Sequence, residues 1–257
     1  MQFLDVIHLS WIIIYLAGGV GLCWWLKRKE TGFQRRFVYQ LILANFVLHF
    51  VGPWLVQDTL EGWLFRISFI NTCAVLVFIS PFVYWQEDKF LKPGWLYMCV
   101  IGALGLIVFP EYAIGYNPFS LNILRLFVQH AILLWIPMLM LVLGHYRISY
   151  RDLWAVGVCY VLILMVVVAN DAILESLGIV HSMRWWNGAF QWHPGTLHGM
   201  VQLIVPDWMM HTPFGPNAGD FVYWPVLYML PVIGVLLLPT TALIMALLRL
   251  LKKKLAV

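Results

Sequence analysis

The chain has 257 residues, of which 62% are hydrophobic and only 11% charged. Soluble domains carry roughly 25% charged residues, so this composition excludes a water-soluble globule and implies a membrane protein. Net charge is +4, and the basic C-terminal tail reads as an anchor against anionic headgroups, not as a nucleic-acid surface.

Seven apolar runs, near 4–26, 37–56, 66–85, 94–110, 122–144, 152–176 and 225–250, are candidate membrane spans. At ~1.5 Å per residue each approaches or exceeds a hydrocarbon core of ~30 Å. The expectation is an all-α polytopic membrane protein, 1–257 as a single transmembrane domain. Span one lacks a basic leader and a small-residue cleavage site, so it reads as a retained helix. It holds His8 near its start, and Gly18, Gly19 and Gly21, which suit close helix packing. Span two carries His49 near its end. A continuous helix in span three puts Ser68, Asn71 and Thr72 on one face by i, i+3, i+4 spacing, with Cys73 on another. Span four, the shortest, closes on Glu111. Span five carries Arg125 near its start and His130 about two turns in. Span six closes on Asn170, Asp171 and Glu175. A long outer segment, 181–224, follows, rich in Trp, His, Pro and Gly. Within it Thr196 to His211 is apolar but too short to span, which predicts an interfacial or re-entrant helix. Pro81, Pro110, Pro137, Pro231 and Pro239 lie in or beside spans, where they kink helices.

Charge sets the orientation. The segments after spans one, three and five, with the C-terminal tail, hold thirteen basic residues; the other side keeps only Arg66, Arg125 and Arg184. The positive-inside rule then puts the N-terminus outside and the C-terminus in the cytoplasm. Arg66 and Arg125, at helix ends, are expected to snorkel to the outer headgroups. Trp24, Trp25, Trp54, Trp63, Trp85, Trp95 and Trp224 cluster at span ends, as an aromatic belt requires.

That topology places His8, His49, Asn71, His130 and Asn170 at matching depth in the outer leaflet, on five different spans. Polar groups in a span are costly and generally face a bundle interior or a water-filled cavity. One ligand pocket follows, with Asp171 as a sixth member. The plain alternative is a set of ties between helices, worth ~0.6 kcal/mol each; it also takes Asp171 and Glu175 out into water. The inner leaflet shows no comparable cluster. Cys23, Cys73, Cys99 and Cys159 all lie in spans without a CxxC pair, so no disulfide framework is expected. No metal site is expected either: His193 and His198 are five apart, and no ExxH or HxxxH pair occurs. No cofactor is called for, although a haem between His49 and His130 is compatible with the residues. Span seven has no lysine for a retinal Schiff base.

Several short motifs resemble, in order and spacing, the YwaF-like family of bacterial seven-span proteins, whose eukaryotic relatives include a glycerophospholipid acyltransferase. They are Ile7-His8-Leu9, Leu48-His49-Phe50 followed by Trp54 to Trp63, Gln129-His130 with Pro137, Ala169-Asn170, and Trp224-Pro225-Val226-Leu227-Tyr228. The resemblance implies a lipid-handling protein of a bacterial inner membrane, with acyl transfer as its activity and His130 as general base. The family's proposed cysteine nucleophile is replaced here by Ile70, beside Asn71 in place of a histidine. Cys73 and Thr72 are the substitutes nearby, and either needs activation by His130. The competing expectation is a non-catalytic protein. It would be an accessory subunit of a larger membrane complex, or a binder of lipid, haem or pigment. Partners under either reading are membrane lipids and membrane-protein subunits, with no nucleic acid.

Overall fold

The computed structural model describes residues 5–55, 59–108, 113, 115–147, 149–179, 203–209, 226–227 and 229–255. Among them every regular element is helical. In order they are α1 (Val6–Leu26), α2 (Thr31–Trp54), α3 (Leu60–Ile67), α4 (Thr72–Val83), α5 (Leu91–Val108), α6 (Leu121–Val142) and α7 (Leu153–Ser176). After them α8 (Met229–Val232) runs through a π-helical turn, Ile233–Leu237, into α9 (Leu238–Leu255). Pro239 has no N–H to return to the preceding turn, which is a reason for the helix to widen there. Five helical segments are long and apolar enough to cross a membrane, and α3 with α4 makes a sixth if that bent pair is one span. Most of the long outer segment, with Arg184, His193, His198 and Trp224, lies outside the described residues, as does Glu111. Of the stretch expected as an interfacial helix, only 203–209 is described, ending in a single 3-10 turn, Asp207–Met209.

The third span is not the continuous helix that its hydropathy suggests. The chain bends by 68° between α3 and α4. Asn71 supplies the reason, because its side chain accepts from the Ala74 N–H at 2.9 Å and caps α4. Phe69 gives its N–H sideways to Asn170 Oδ1 on α7, at 3.2 Å, instead of back into a helix. Ser68, Asn71 and Thr72 therefore do not share a helical face. Irregular backbone at membrane depth survives only where protein or a cavity surrounds it, and here a side chain from α7 meets it.

The core runs along α5 and α6. α6 packs on α1, α2 and α5, while α5 packs on α4, α6 and α7. Trp95 of α5, 1% exposed, gives its Nε1–H to Ser80 Oγ of α4 at 2.8 Å. The α1–α6 contact is an aromatic interlock. Trp135 presses against Gly18 and Gly19, where an added Cβ would come within 2.6 Å and 2.9 Å of its ring. The same ring donates Nε1–H to Tyr15 O at 2.8 Å, and Tyr15 returns its hydroxyl to Phe127 O at 2.5 Å. One indole accounts for the close packing expected at Gly18 and Gly19; Gly21 does not share it, since a Cβ there would meet nothing within 4 Å. All four cysteines are unpaired.

Alternating helix directions give the bundle two ends. The basic end holds the α1–α2 turn, the α4–α5 connection and the α6–α7 connection, tied by Gln34 Nε2 to Leu26 O (3.0 Å) and by the Tyr84 hydroxyl to Arg35 O (2.9 Å). The far end holds the start of α1, the end of α2, the α3–α4 bend, the end of α5, the start of α6 and the end of α7.

Candidate functional site

The polar residues of the spans gather at the far end, but each has a separate task there. His8, 1% exposed, bonds through Nε2 to Ile107 O at 2.7 Å and ties α1 to α5. His49, 5% exposed, bonds through Nε2 to Ile67 O at 3.0 Å and holds the end of α3 against α2. Asn170 holds the bend, and Asn71 caps α4. Asp171 is buried, so the alternative that takes both carboxylates out of the bundle fails for it, while Glu175, one turn on, is exposed. Within α6, His130 Nδ1 bonds to Leu126 O at 2.8 Å. A carbonyl only accepts, so the proton sits on Nε2 in His8 and His49 and on Nδ1 in His130. His130 Nε2 is thereby left as the ring's acceptor nitrogen, the tautomer a general base requires.

Neither substitute nucleophile is brought to that base by a hydrogen bond. Cys73 Sγ lies over Gly102 of α5, 3.1 Å from where a Cβ would stand. Thr72 opens α4, and the bend separates it from α3.

The residue that organises the far end is one expected to leave it. Arg125 does not snorkel. It is 8% exposed and lies across Gly52 of α2, where any Cβ would meet its Cδ. The missing side chain at Gly52 is what gives the arginine stem its path inward. Its guanidinium reaches Gln129 Oε1 at 3.4 Å and Asn122 Oδ1 at 3.2 Å, and its Nε has no partner. No carboxylate neutralises it among the described residues; instead His49, His130 and Arg66 lie within its electrostatic reach. Asn45, 2% exposed, donates to Gln129 O at 3.3 Å and so joins α2 to the same turn. Asn45 and Gln129 are polar residues inside apolar runs. That is the signal that singled out the histidines, and it applied to them equally.

Below Arg125, away from the far end, α2 and α6 leave a shallow apolar groove of about 520 Å³. It is lined by Leu43, Ala44, Val47, Leu48 and Val51 of α2 with Val128 and Ile132 of α6. Arg125 does not line it, but by i, i+3, i+7 spacing it shares one stripe of α6 with Val128 and Ile132 and lies about a turn nearer the far end. Among the described residues no group of three His, Cys, Asp or Glu side chains is arranged to hold a metal.

A bundle of membrane-length apolar helices with a buried polar belt defines an integral, multi-pass membrane protein. The chain belongs to the TMEM164 family, which it matches over residues 3–245. It is also similar to the Sec-independent protein translocase protein TatC of Koribacter versatilis (strain Ellin345). The two are 28% identical over 131 residues, which are 46% of this chain and 48% of that protein. The chain thus spans about half the length of that curated relative. No solved structure matches it.

Proposed function

We propose that the protein handles a membrane lipid, seating an anionic or ester-bearing headgroup at Arg125 and an acyl chain in the α2–α6 groove. The observation that carries this reading is Arg125 itself, a buried guanidinium with no carboxylate partner among the described residues. An unpaired charge in the interior is strongly unfavourable, and an anionic group brought by a ligand offsets it. His49 and Gln129 would orient the headgroup, with His8, Asn71, Asn170 and Asp171 holding the helix ends around it. Acyl transfer is the further part of the reading. His130, in its base-competent tautomer, would take the proton from Thr72 or Cys73 as that oxygen or sulfur attacks the lipid ester carbonyl, and would return it to the lysolipid alkoxide that leaves as the acyl-enzyme forms.

In this reading the far end faces outward. α5, at 18 residues, gives ~27 Å of helix and makes a seventh crossing. The N-terminus would be outside a bacterial plasma membrane and the basic end in the cytoplasm. Native mass spectrometry and lipid extraction of the purified chain test the proposal. Wild type should retain phospholipid that Arg125→Met loses, and acyl transfer requires a covalent adduct that His130→Ala abolishes. Equal lipid retention in wild type and Arg125→Met sinks the lipid site. A second reading, an accessory subunit of a membrane complex, draws on the similarity to the translocase protein. Stoichiometric co-purifying subunits with no retained lipid would favour it. A coloured preparation would instead indicate haem or pigment.

A further inference from the structure

The basic end of the bundle carries a different kind of cavity. There α2, α4, α5, α6 and α7 surround a cleft of about 670 Å³, within the ~300–1,000 Å³ range of ligand sites. No side-chain cluster was expected at this end, because its residues come from helix ends and connections and not from within spans. Gly144, at φ +79°, reverses the chain after α6 and turns His145 and Tyr146 back over the cleft.

Four cations line it: Arg35, Lys89, Lys92 and Arg151. Three carboxylates line it as well; Glu87 lies within electrostatic reach of Lys92, and the other two accept local hydrogen bonds. Asp88 Oδ1 accepts the N–H groups of Phe90 (2.7 Å) and Leu91 (2.6 Å), and Asp152 Oδ2 accepts the Tyr146 hydroxyl (2.5 Å). Lys92 Nζ is committed to the carbonyls of Tyr84 and Gln86, both at 2.9 Å. Arg35 and Arg151 make no ion pair or side-chain hydrogen bond among the described residues. His145 Nε2 is buried without a partner. Burial, and then Arg35 and Lys92 beside it, hold His145 below the ordinary imidazole value. At neutral pH it therefore adds no charge and exchanges only a hydrogen bond. Trp85 and Trp154, both more than half exposed, stand at the rim. Charge bias alone explains basic residues at this end. It does not explain two uncommitted guanidinium groups and two indoles around one concavity.

We propose that this cleft binds a phosphate-bearing group, with Arg35 and Arg151 taking its oxygens and Trp85 and Trp154 flanking what the phosphate carries. Guanidinium forks match phosphate geometry, and indoles favour the depth of lipid headgroups. The same chemistry comes from an anionic phospholipid or from a soluble phosphomonoester.

Native mass spectrometry of the full chain tests it in an Arg125→Met background, so that the far-end site contributes nothing. One arm uses nanodiscs of phosphatidylcholine mixed with phosphatidylglycerol; the other adds glycerol phosphate to pure phosphatidylcholine nanodiscs. Arg35→Gln with Arg151→Gln should reduce the retained probe by about tenfold per arginine. Arg35→Lys with Arg151→Lys keeps the charge without the fork and should fall between. Lys27→Gln, at the same end but outside the cleft, should leave retention unchanged. Retention of the lipid alone assigns a headgroup as the source, and retention of glycerol phosphate alone assigns a soluble one. If the parent retains neither probe, or if Lys27→Gln loses as much as the double glutamine variant, the proposal is overturned.

Discussion

Replacing Arg125 with methionine should stabilise the lipid-free protein and abolish its response to lipid. The guanidinium is 8% exposed, and its two hydrogen bonds, 3.4 Å and 3.2 Å, are at or beyond the usual limit. Charge-assisted bonds contribute ~1.5–3 kcal/mol each at good geometry, so these long ones supply ~1.5 kcal/mol apiece at most. Against them stands the cost of an uncompensated buried charge, ~3–5 kcal/mol. Methionine fills similar space without that cost, for a net gain of up to about 2 kcal/mol. In a chain of this size each kcal/mol moves the melting temperature by roughly 2–4 °C. The assay is thermal unfolding followed by tryptophan fluorescence, in detergent stripped of lipid and again after lipid is restored. Stripped Arg125→Met should melt a few degrees above stripped wild type. Added lipid should then raise wild type alone. A stripped variant that melts clearly below wild type would refute the reasoning, because the long hydrogen bonds would then outweigh the buried charge.

Three other outcomes follow from the fold. Gly18→Leu drives a side chain into the Trp135 ring, with its Cβ already only 2.6 Å away, and should cost ~1–3 kcal/mol in melting experiments; adding Trp135→Ala should recover part of the loss. Asn170→Ala leaves the Phe69 N–H without its acceptor at the α3–α4 bend, and should destabilise by ~1 kcal/mol with faster amide exchange there. Asp88 accepts from the Leu91 and Phe90 N–H groups, in that order of effect, which lowers its carboxyl below the ordinary 3.8. Its contribution is therefore complete above that value and lost as pH falls through the lowered one. Wild type should melt above Asp88→Ala near neutrality, and the gap between them should close on acidification below about pH 4.

The helical architecture was legible because a membrane forces it: apolar runs of spanning length leave the backbone no alternative to helix. Asn71 shows where that reading stops. Its hydropathy context is a span, yet its side chain acts locally as a cap, and the broken backbone beside it is met from other helices, by Asn170 at the Phe69 N–H, 101 positions away, and by His49 at Ile67 O. Arg125 shows the other limit. Position near a helix end suggested snorkelling, whereas the deciding residue was Gly52 on another helix, whose lack of a side chain opens the path inward. The histidines were found by the rule that polar groups in spans have a purpose. The rule did not distinguish the ties, His8 and His49, from His130, whose bond stays within its own helix. The basic-end cleft was invisible because it exists only once three separate connections meet.

The interlock between α1 and α6 bears on how the protein is made. Tyr15 and Trp135 are 120 residues apart in sequence, as are no two partners within a hairpin. α1 enters the bilayer before α6, exposes large apolar side chains along much of its length, and has α6 as its principal partner. During synthesis it must therefore wait in lipid, or against an insertion chaperone, until α6 emerges. Gly18 and Gly19 leave the room that the Trp135 indole takes when α6 arrives. Biogenesis is thus ordered by a contact that forms late, and a chain truncated before α6 would leave its first helix unclaimed and open to membrane quality control.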